Sequence, residues 1–282
     1  MPSLKEIRTK IASVKSTKRI MQAMKMIATV KYAKTQIMLN SFRPYFESYK
    51  SIVTVVSNSS KGSGNKFLDI GTEEKRCLLV IISSDRGLCG SYNSSLFRSI
   101  EKYEFPQQTI EKLFIGKKGQ DYFKENSFGN EIFSADEKNY KSVSASISDK
   151  ILLPFLNGEI DQIYVAYNKF ASAISQLPTI TKILPMEFEY SEDIEQNPDI
   201  LIEPDIDLFI ETVFPKFLNL TLSSFLLEAI TSEHAARTAA MDNATRNADD
   251  IIRDTTMLFN KTRQAYITKE LMDIVNGAEA MK

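Results

Sequence analysis

Apolar residues recur at two different periods along the chain, and the change of period divides it into three parts. Near the start, Leu4, Ile7, Ile11 and Val14 step by three and four. So narrow a stripe is the seam of a coiled coil rather than the broad face of a globular helix. Residues 16–19 (STKR) interrupt it, and Met21, Met24 and Ala28 resume it. Near the other end, Arg237, Met241, Ala244, Ala248, Ile251, Thr255, Leu258, Thr262, Ala265, Lys269 and Met272 alternate steps of four and three. That seam is small and partly polar, so its partner must come close and polar contacts are expected to fix the register. Between the seams lie short apolar runs. Residues 77–83 (CLLVIIS), 112–115 (KLFI), 160–167 (IDQIYVAY) and 179–184 (TITKIL) read as strands. Residues 94–103, 120–125 and 143–156 read as helices among them. Strand alternating with helix predicts a mostly parallel sheet with helices on its faces.

Glycine placement sharpens this division. None of the ten glycines lies in residues 1–61 or 159–276, and residues 216–276 contain neither Gly nor Pro. A stretch of that length forms one helix of roughly 90 Å at ~1.5 Å per residue. Pro44 and Pro215 are expected to kink or restart their helices, and Asn276-Gly277 to stop the last one. The expected parts are an N-terminal helix over 1–56, a polar linker over 57–76, an α/β domain over 77–185, an acidic connection over 186–205 and a C-terminal helix over 206–282. The simplest solution packs the terminal helices on each other. Sequence pattern alone leaves parallel and antiparallel pairing open.

Charge is unevenly spread. The 35 Lys+Arg nearly balance 36 Asp+Glu. Yet residues 1–34 hold nine bases and one acid, while residues 186–211 hold ten acids and no base. Such separation suits docking on charged protein surfaces. The longest uninterrupted apolar run, residues 77–82, is too short to cross a membrane, for which about 20 residues are needed. One His and two Cys argue against zinc chemistry, His-based catalysis and a disulfide framework.

Candidate chemistry is sparse. Residues 83–90 (SSDRGLCG) and 116–119 (GKKG) are glycine-bearing turns after strands, where a phosphate could rest on a helix N-terminus. Neither has the spacing of a dinucleotide or P-loop motif. Cys89 has no His in the middle segment to activate it and reads as a structural thiol. His234, beside Glu233, has no partner set for catalysis and reads as a packing or contact residue. The basic amphipathic start also fits a mitochondrial presequence, a membrane-surface helix or a calmodulin target, but the seam continues far past such segments. Nucleic-acid binding lacks a motif and is opposed by the acidic belt. Nine of the ten methionines fall in the terminal segments, as core filling or as an adaptable contact surface.

Three motifs together carry a resemblance. They are residues 5–14 (KEIRTKIASV) with 17–27 (TKRIMQAMKMI), residues 84–93 (SDRGLCGSYN), and residues 232–248 (SEHAARTAAMDNATRNA) with 260–280 (NKTRQAYITKELMDIVNGAEA). In order and spacing the chain resembles the gamma subunit of F-type ATP synthases along essentially its whole length. The resemblance implies a long antiparallel coiled coil of the two terminal helices and a central Rossmann-like α/β domain. It implies a non-catalytic rotor. The coil tip would sit inside the alpha/beta head, and the foot would rest on the membrane c-ring beside the epsilon subunit. Rotation of the ring would then drive ATP synthesis on beta and regulate ATPase activity and proton flow. No cofactor, metal or catalytic residue is implied, and neither nucleic acid binding, membrane insertion nor homo-oligomerisation. By motif position, Met24 and Lys25 are expected to face a moving beta lobe, with Arg237 on the facing helix. Arg263, Gln264, Thr268 and Glu270 are expected to hold the shaft near beta, and Glu203 and Asp205 to meet c-ring loops. The seam begins almost at once, so a cleaved presequence is not expected. A bacterial chain, peripheral on the cytoplasmic face of the inner membrane, is. Two other classes fit the pattern: an α/β enzyme with a coiled-coil dimerisation arm, which requires a substrate pocket near Asp85 and Cys89, and a static adaptor.

Overall fold

The structure, a computed structural model, describes residues 3–59, 66–68, 76–106, 109–188 and 206–279. Two long helices carry the two seams: α1 (Leu4–Ser59) and α5 (Ile206–Glu279). A capping box starts α1. The Ser3 hydroxyl accepts the Glu6 N–H at 3.2 Å, and the Glu6 carboxylate accepts the Ser3 N–H at 3.0 Å. Both prolines lie inside their helices, so neither restarts one. Helix α5 also runs past Gly277 to Glu279, so the expected stop there is not used. The chain divides into two compact units, one of Met1–Ala28 with Thr238–Lys282 and one of Thr29–Arg237.

The first unit is an antiparallel helix pair. Lys18 Nζ meets Asp249 Oδ1 at 2.5 Å and Lys25 Nζ meets Asp242 Oδ1 at 2.5 Å. One heptad forward on α1 thus corresponds to one heptad backward on α5. Burial corrects the seam assignments on both helices. On α1 the less exposed positions are Leu4, Ile7, Ile11, Val14, Lys18, Met21, Lys25 and Ala28, an unbroken alternation of three and four. Lys18 and Lys25 therefore occupy the seam, while Met24 stands beside it, 37% exposed. On α5 the alternate positions are Thr245, Ile252 and Phe259. Their neighbours Ile251 and Leu258 are 45% and 47% exposed. The physical reason is that two adjacent positions flank a 3.5-residue seam almost equally, and here the larger Phe259 and the tighter partner decide.

The second unit is built on a four-stranded sheet. Strands β1 (Arg76–Ile82), β2 (Thr109–Ile115), β3 (Gln162–Phe170) and β4 (Gln176–Leu184) are ordered β2-β1-β3-β4. The first three are parallel and β4 pairs antiparallel with β3 through a short connection. Helices α2 (Tyr92–Lys102), α3 (Lys117–Phe123) and α4 (Tyr140–Leu156) complete it. Strand β1 is apolar on both faces because both are covered. Cys77, Leu79 and Ile81 pack with Leu96, Phe97 and Ile100 of α2. Leu78, Val80 and Ile82 join the larger core, which includes Ile147 and Ile151 of α4 and Phe214, Leu222 and Leu226 of α5. The C-terminal part of α1 enters the same core through Leu39, Val53 and Val56. Rings of Phe46 and Tyr49 stack on Phe217 at 5.9 and 6.2 Å. Phe67, within the expected linker, is buried against Phe214.

By length and composition alone, α5 contains a stretch apolar enough to span a membrane, although polar residues interrupt it. That window is 61% buried inside the protein, so its apolar side chains are spent on the core.

Candidate functional site

Two places merit attention: the turn that follows β1, and the coil with its C-terminal extension. The turn is held by hydrogen bonds rather than shaped for a ligand. The Ser84 hydroxyl donates to Arg86 O at 2.7 Å and accepts from Asn93 Nδ2 at 2.7 Å. Asn93 Oδ1 accepts the Ser84 N–H at 3.1 Å. Leu88 (φ 65°) and Gly90 (φ 61°) make the reversals that return the chain to α2. The Tyr92 hydroxyl donates to Ala229 O of α5 at 3.1 Å, and burial pushes its proton affinity well up.

The helix N-terminus beside this turn is already engaged. Start of α3 donates inward three times: Lys117 N–H to Asp85 Oδ1 at 3.2 Å, Lys118 N–H to Ser84 O at 3.0 Å and Gly119 N–H to Ser83 Oγ at 2.8 Å. A phosphate would need those same donors. Gly116 has φ +86°, and a Cβ there would lie 2.2 Å from Ser83 O. The GKKG turn is therefore a tight backbone crossing. The cavity lined by Ser83, Asp85, Tyr92, Gly116 and Glu233 has room for about one water. No group of three or more metal-ligating side chains occurs among the described residues. Cys89 is buried, and burial raises its thiol pKa, which leaves it a poor nucleophile.

Residues of α5 close over this turn. Arg237 Nη2 donates to Arg86 O at 3.2 Å and Gly87 O at 3.4 Å, and Arg237 Nη1 meets Glu233 Oε1 at 2.6 Å. Burial pushes the Glu233 carboxyl up, and Arg237 opposes it. His234 is buried, with Nε2 3.9 Å from Glu137 Oε2. Burial, helped by Lys31 and Arg237, lowers its pKa to about 4, so it is neutral near pH 7. Burial alone would raise Glu137, but a backbone hydrogen bond and Lys31, 3.2 Å away, hold its carboxyl low. Arg237 thus spends its guanidinium within this unit, with its side chain 15% exposed. Sequence reasoning took Arg237 as a seam residue and missed its inward role. The nearby Glu233, four residues earlier on the helix, was the signal.

The coil presents the other expected residues. Lys25 bonds to Asp242, which also takes Arg246 at 2.6 Å. The Lys25 hydrogen bond is foremost in lowering the Asp242 pKa. Carrying the coil register toward the α1 start puts Leu4 level with Arg263. Helix α5 therefore extends past α1 as a single helix over residues 264–279, about 24 Å long at ~1.5 Å per residue. Every residue from Arg263 through Ala278 is exposed, including Gln264, Thr268 and Glu270. The Thr268 hydroxyl turns back to Gln264 O at 3.0 Å. Tyr266, Ile267, Leu271, Met272, Ile274 and Val275 are each about half or more exposed on this stretch. An exposed apolar single helix calls for a partner. Glu203 and Asp205 lie outside the described residues.

Comparison with known proteins gives one answer. A family model described as ATP synthase matches residues 3–281. The chain is 39% identical to the ATP synthase gamma chain of Nitratidesulfovibrio vulgaris (strain Hildenborough), with all of both chains covered. It is 36% identical to that of Lawsonia intracellularis and 34% to that of Fusobacterium nucleatum, again over all of both chains. Its fold is similar to a chain in the structure of the Euglena gracilis mitochondrial ATP synthase rotor. The TM-score is 0.63 at 21% identity, covering 94% of this chain and 98% of that one. A chain of the Tetrahymena thermophila mitochondrial ATP synthase central stalk and c-ring gives a TM-score of 0.62 at 26% identity, covering 80% and 99%.

Proposed function

The chain belongs to the ATP synthase gamma-chain family, and on that premise we propose that it is the shaft that carries rotation of a membrane c-ring into a catalytic alpha/beta head. It is a central-stalk subunit without a catalytic site of its own. The observation that carries the reading is the match to gamma chains over all of both chains. The physical chemistry of the chain supports it. A phosphate-binding turn is replaced by a closed backbone crossing, and the exposed apolar helix over residues 264–279 needs an enclosing partner.

In this reading nucleotide chemistry falls to beta, and the tip of α5 turns inside the head. Arg263, Gln264, Thr268 and Glu270 meet the enclosing subunits there, while Met24 and Lys25 meet a beta lobe. Arg237 acts within its own unit by holding the turn at Arg86 and Gly87. The acidic residues Glu203 and Asp205 form the foot on the c-ring, next to epsilon. The chain is held peripherally at the cytoplasmic face of a bacterial inner membrane through these partners. It occurs once per complex, and it ties ATPase activity to proton flow. The domain limits proposed are a shaft over 1–56 and 206–282, a linker over 57–76, an α/β domain over 77–185 and a connection over 186–205.

A magnitude bears on how torque passes. One charge crossing 100 mV supplies ~2.3 kcal/mol, so a few charges per step approach the stability of a whole domain, ~5–15 kcal/mol. No single polar contact of about 1–3 kcal/mol carries that load. Alanine at Gln264 or Thr268 alone is therefore expected to weaken coupling only in part. The test is proton-driven ATP synthesis in vesicles that hold the c-ring and stator, resupplied with alpha, beta and epsilon with or without this chain. Synthesis only when the chain is present supports the reading. Equal synthesis without it contradicts the reading.

A further inference from the structure

The two lysines on the α1 seam are out of place for a hydrophobic interface. In the first unit, Lys18 and Lys25 hold positions in line with Ile11, Val14, Met21 and Ala28. Each reaches an aspartate of α5 at 2.5 Å, and the two aspartates, Asp249 and Asp242, are separated by the same heptad. The facing α5 seam carries three large side chains, Met241, Ile252 and Phe259, among the small Thr245, Ala248, Thr255 and Thr262, and small seam positions tolerate more than one heptad alignment. Exposed ion pairs add little stability. The side chains of Lys18 and Lys25 are 25% and 41% exposed, so their pairs act less on stability than on the choice of alignment, which is disfavoured wherever a seam lysine finds no aspartate opposite. Sliding one helix by a heptad in either direction breaks both pairs and leaves one lysine opposite an aspartate: Lys18 would meet Asp242, or Lys25 would meet Asp249.

We propose that Lys18–Asp249 and Lys25–Asp242 are a register lock for the antiparallel coil, and that they thereby set how far α5 extends past α1. The extension starts where Leu4 ends its partnership near Arg263, so a one-heptad slip lengthens or shortens the single helix by about 10 Å. Within the coil these four act as positioning residues, Lys25 in addition to the beta contact proposed for it, and they place Gln264, Thr268 and Glu270 at a fixed height. The use of that height rests on the shaft reading above. The lock itself does not, and it is measured on the full chain alone.

The test is a spin-label distance between Ser13→Cys and Lys269→Cys, two exposed positions about 22 Å apart along the coil axis at ~1.5 Å per residue, with Cys77 and Cys89 buried and out of reach of the label. Three charge variants are compared with the parent: Lys18→Asp with Lys25→Asp, Asp242→Lys with Asp249→Lys, and all four together. The lock predicts one narrow distance in the parent and in the fourfold swap. It predicts a broadened distribution, or one displaced by a slip of about 10 Å, in each half-swap. A half-swap that loses the coil altogether while the fourfold swap recovers the parent distance has the same meaning. Half-swaps that keep the parent distance overturn the proposal, as does a fourfold swap that fails to recover it. Failure of the shaft reading would leave all of these distances unchanged and would appear only with the partner subunits present.

Discussion

Arg237 shows how much one side chain decides at the turn after β1. Its guanidinium bridges two carbonyls of the turn and the buried Glu233. Arg237→Ala would leave Glu233 with an unpaired charge in a mostly buried place, at a cost of about 3 kcal/mol measured by urea unfolding. A loss below about 1 kcal/mol would mean the contact is incidental. Gly116 is constrained by its backbone rather than by charge. Its φ of +86° and the 2.2 Å approach of a Cβ to Ser83 O predict that Gly116→Ala costs about 2–4 kcal/mol by the same measurement. His234 adds a pH dependence. Burial depresses its pKa from 6.5 to about 4 in the folded chain. The neutral ring's contribution is therefore fully present above about pH 6.5, and it is lost as pH falls toward 4. Linkage puts that loss at up to about 3 kcal/mol. The stability difference between the parent and His234→Asn should shrink by that order between pH 7 and pH 4.5. A difference independent of pH would show that the ring titrates normally in the fold. None of these roles could be read from sequence, because each depends on which distant backbone a side chain meets. Only the residue types, a lone buried His and a glycine after a strand, were visible.

Helices and strands were far more legible. The β1 run was found because both of its faces are covered, which leaves an uninterrupted apolar segment. Both terminal helices were found because heptad stripes run through glycine-poor sequence: α1 holds no glycine and α5 only Gly277, and Pro44 and Pro215 lie inside the helices without ending them. The boundaries drifted by a few residues, as in β3, which begins at Gln162 and continues to Phe170. The antiparallel direction of β4 was not legible, since a strand's own pattern carries no direction. The seam was read at the right period and, at alternate positions, in the wrong place. Ile251 and Ile252 are adjacent and identical, and only the fold distinguishes them. Ile252→Ala is expected to cost about 1–2 kcal/mol by loss of seam packing, and Ile251→Ala less than about 0.5 kcal/mol. Equal costs, measured by thermal unfolding of both variants, would place the seam midway between them. Lys18 was read as part of an interruption, and Met24 was placed on the seam in preference to Lys25, because polarity was taken as absence from the seam. The structure makes those lysines part of it.

At the scale of the molecule, three ordered motifs led to the family before any contact was known, and the full-length relatives support the same assignment. The residues proposed to meet partners were legible only through that resemblance. On this chain alone, Arg263, Gln264, Thr268 and Glu270 are simply exposed. In the proposed reading their meaning comes from what surrounds them in a complex, and the exposed apolar residues beside them are what calls for such a partner. The most direct measurement is therefore to mix the purified chain with its cognate alpha and beta subunits and to determine mass and ATPase activity of the assembly. The shaft account predicts one copy per three alpha/beta pairs, with ATPase stimulated by the chain. A symmetric stoichiometry of three, or no stable assembly, would contradict it.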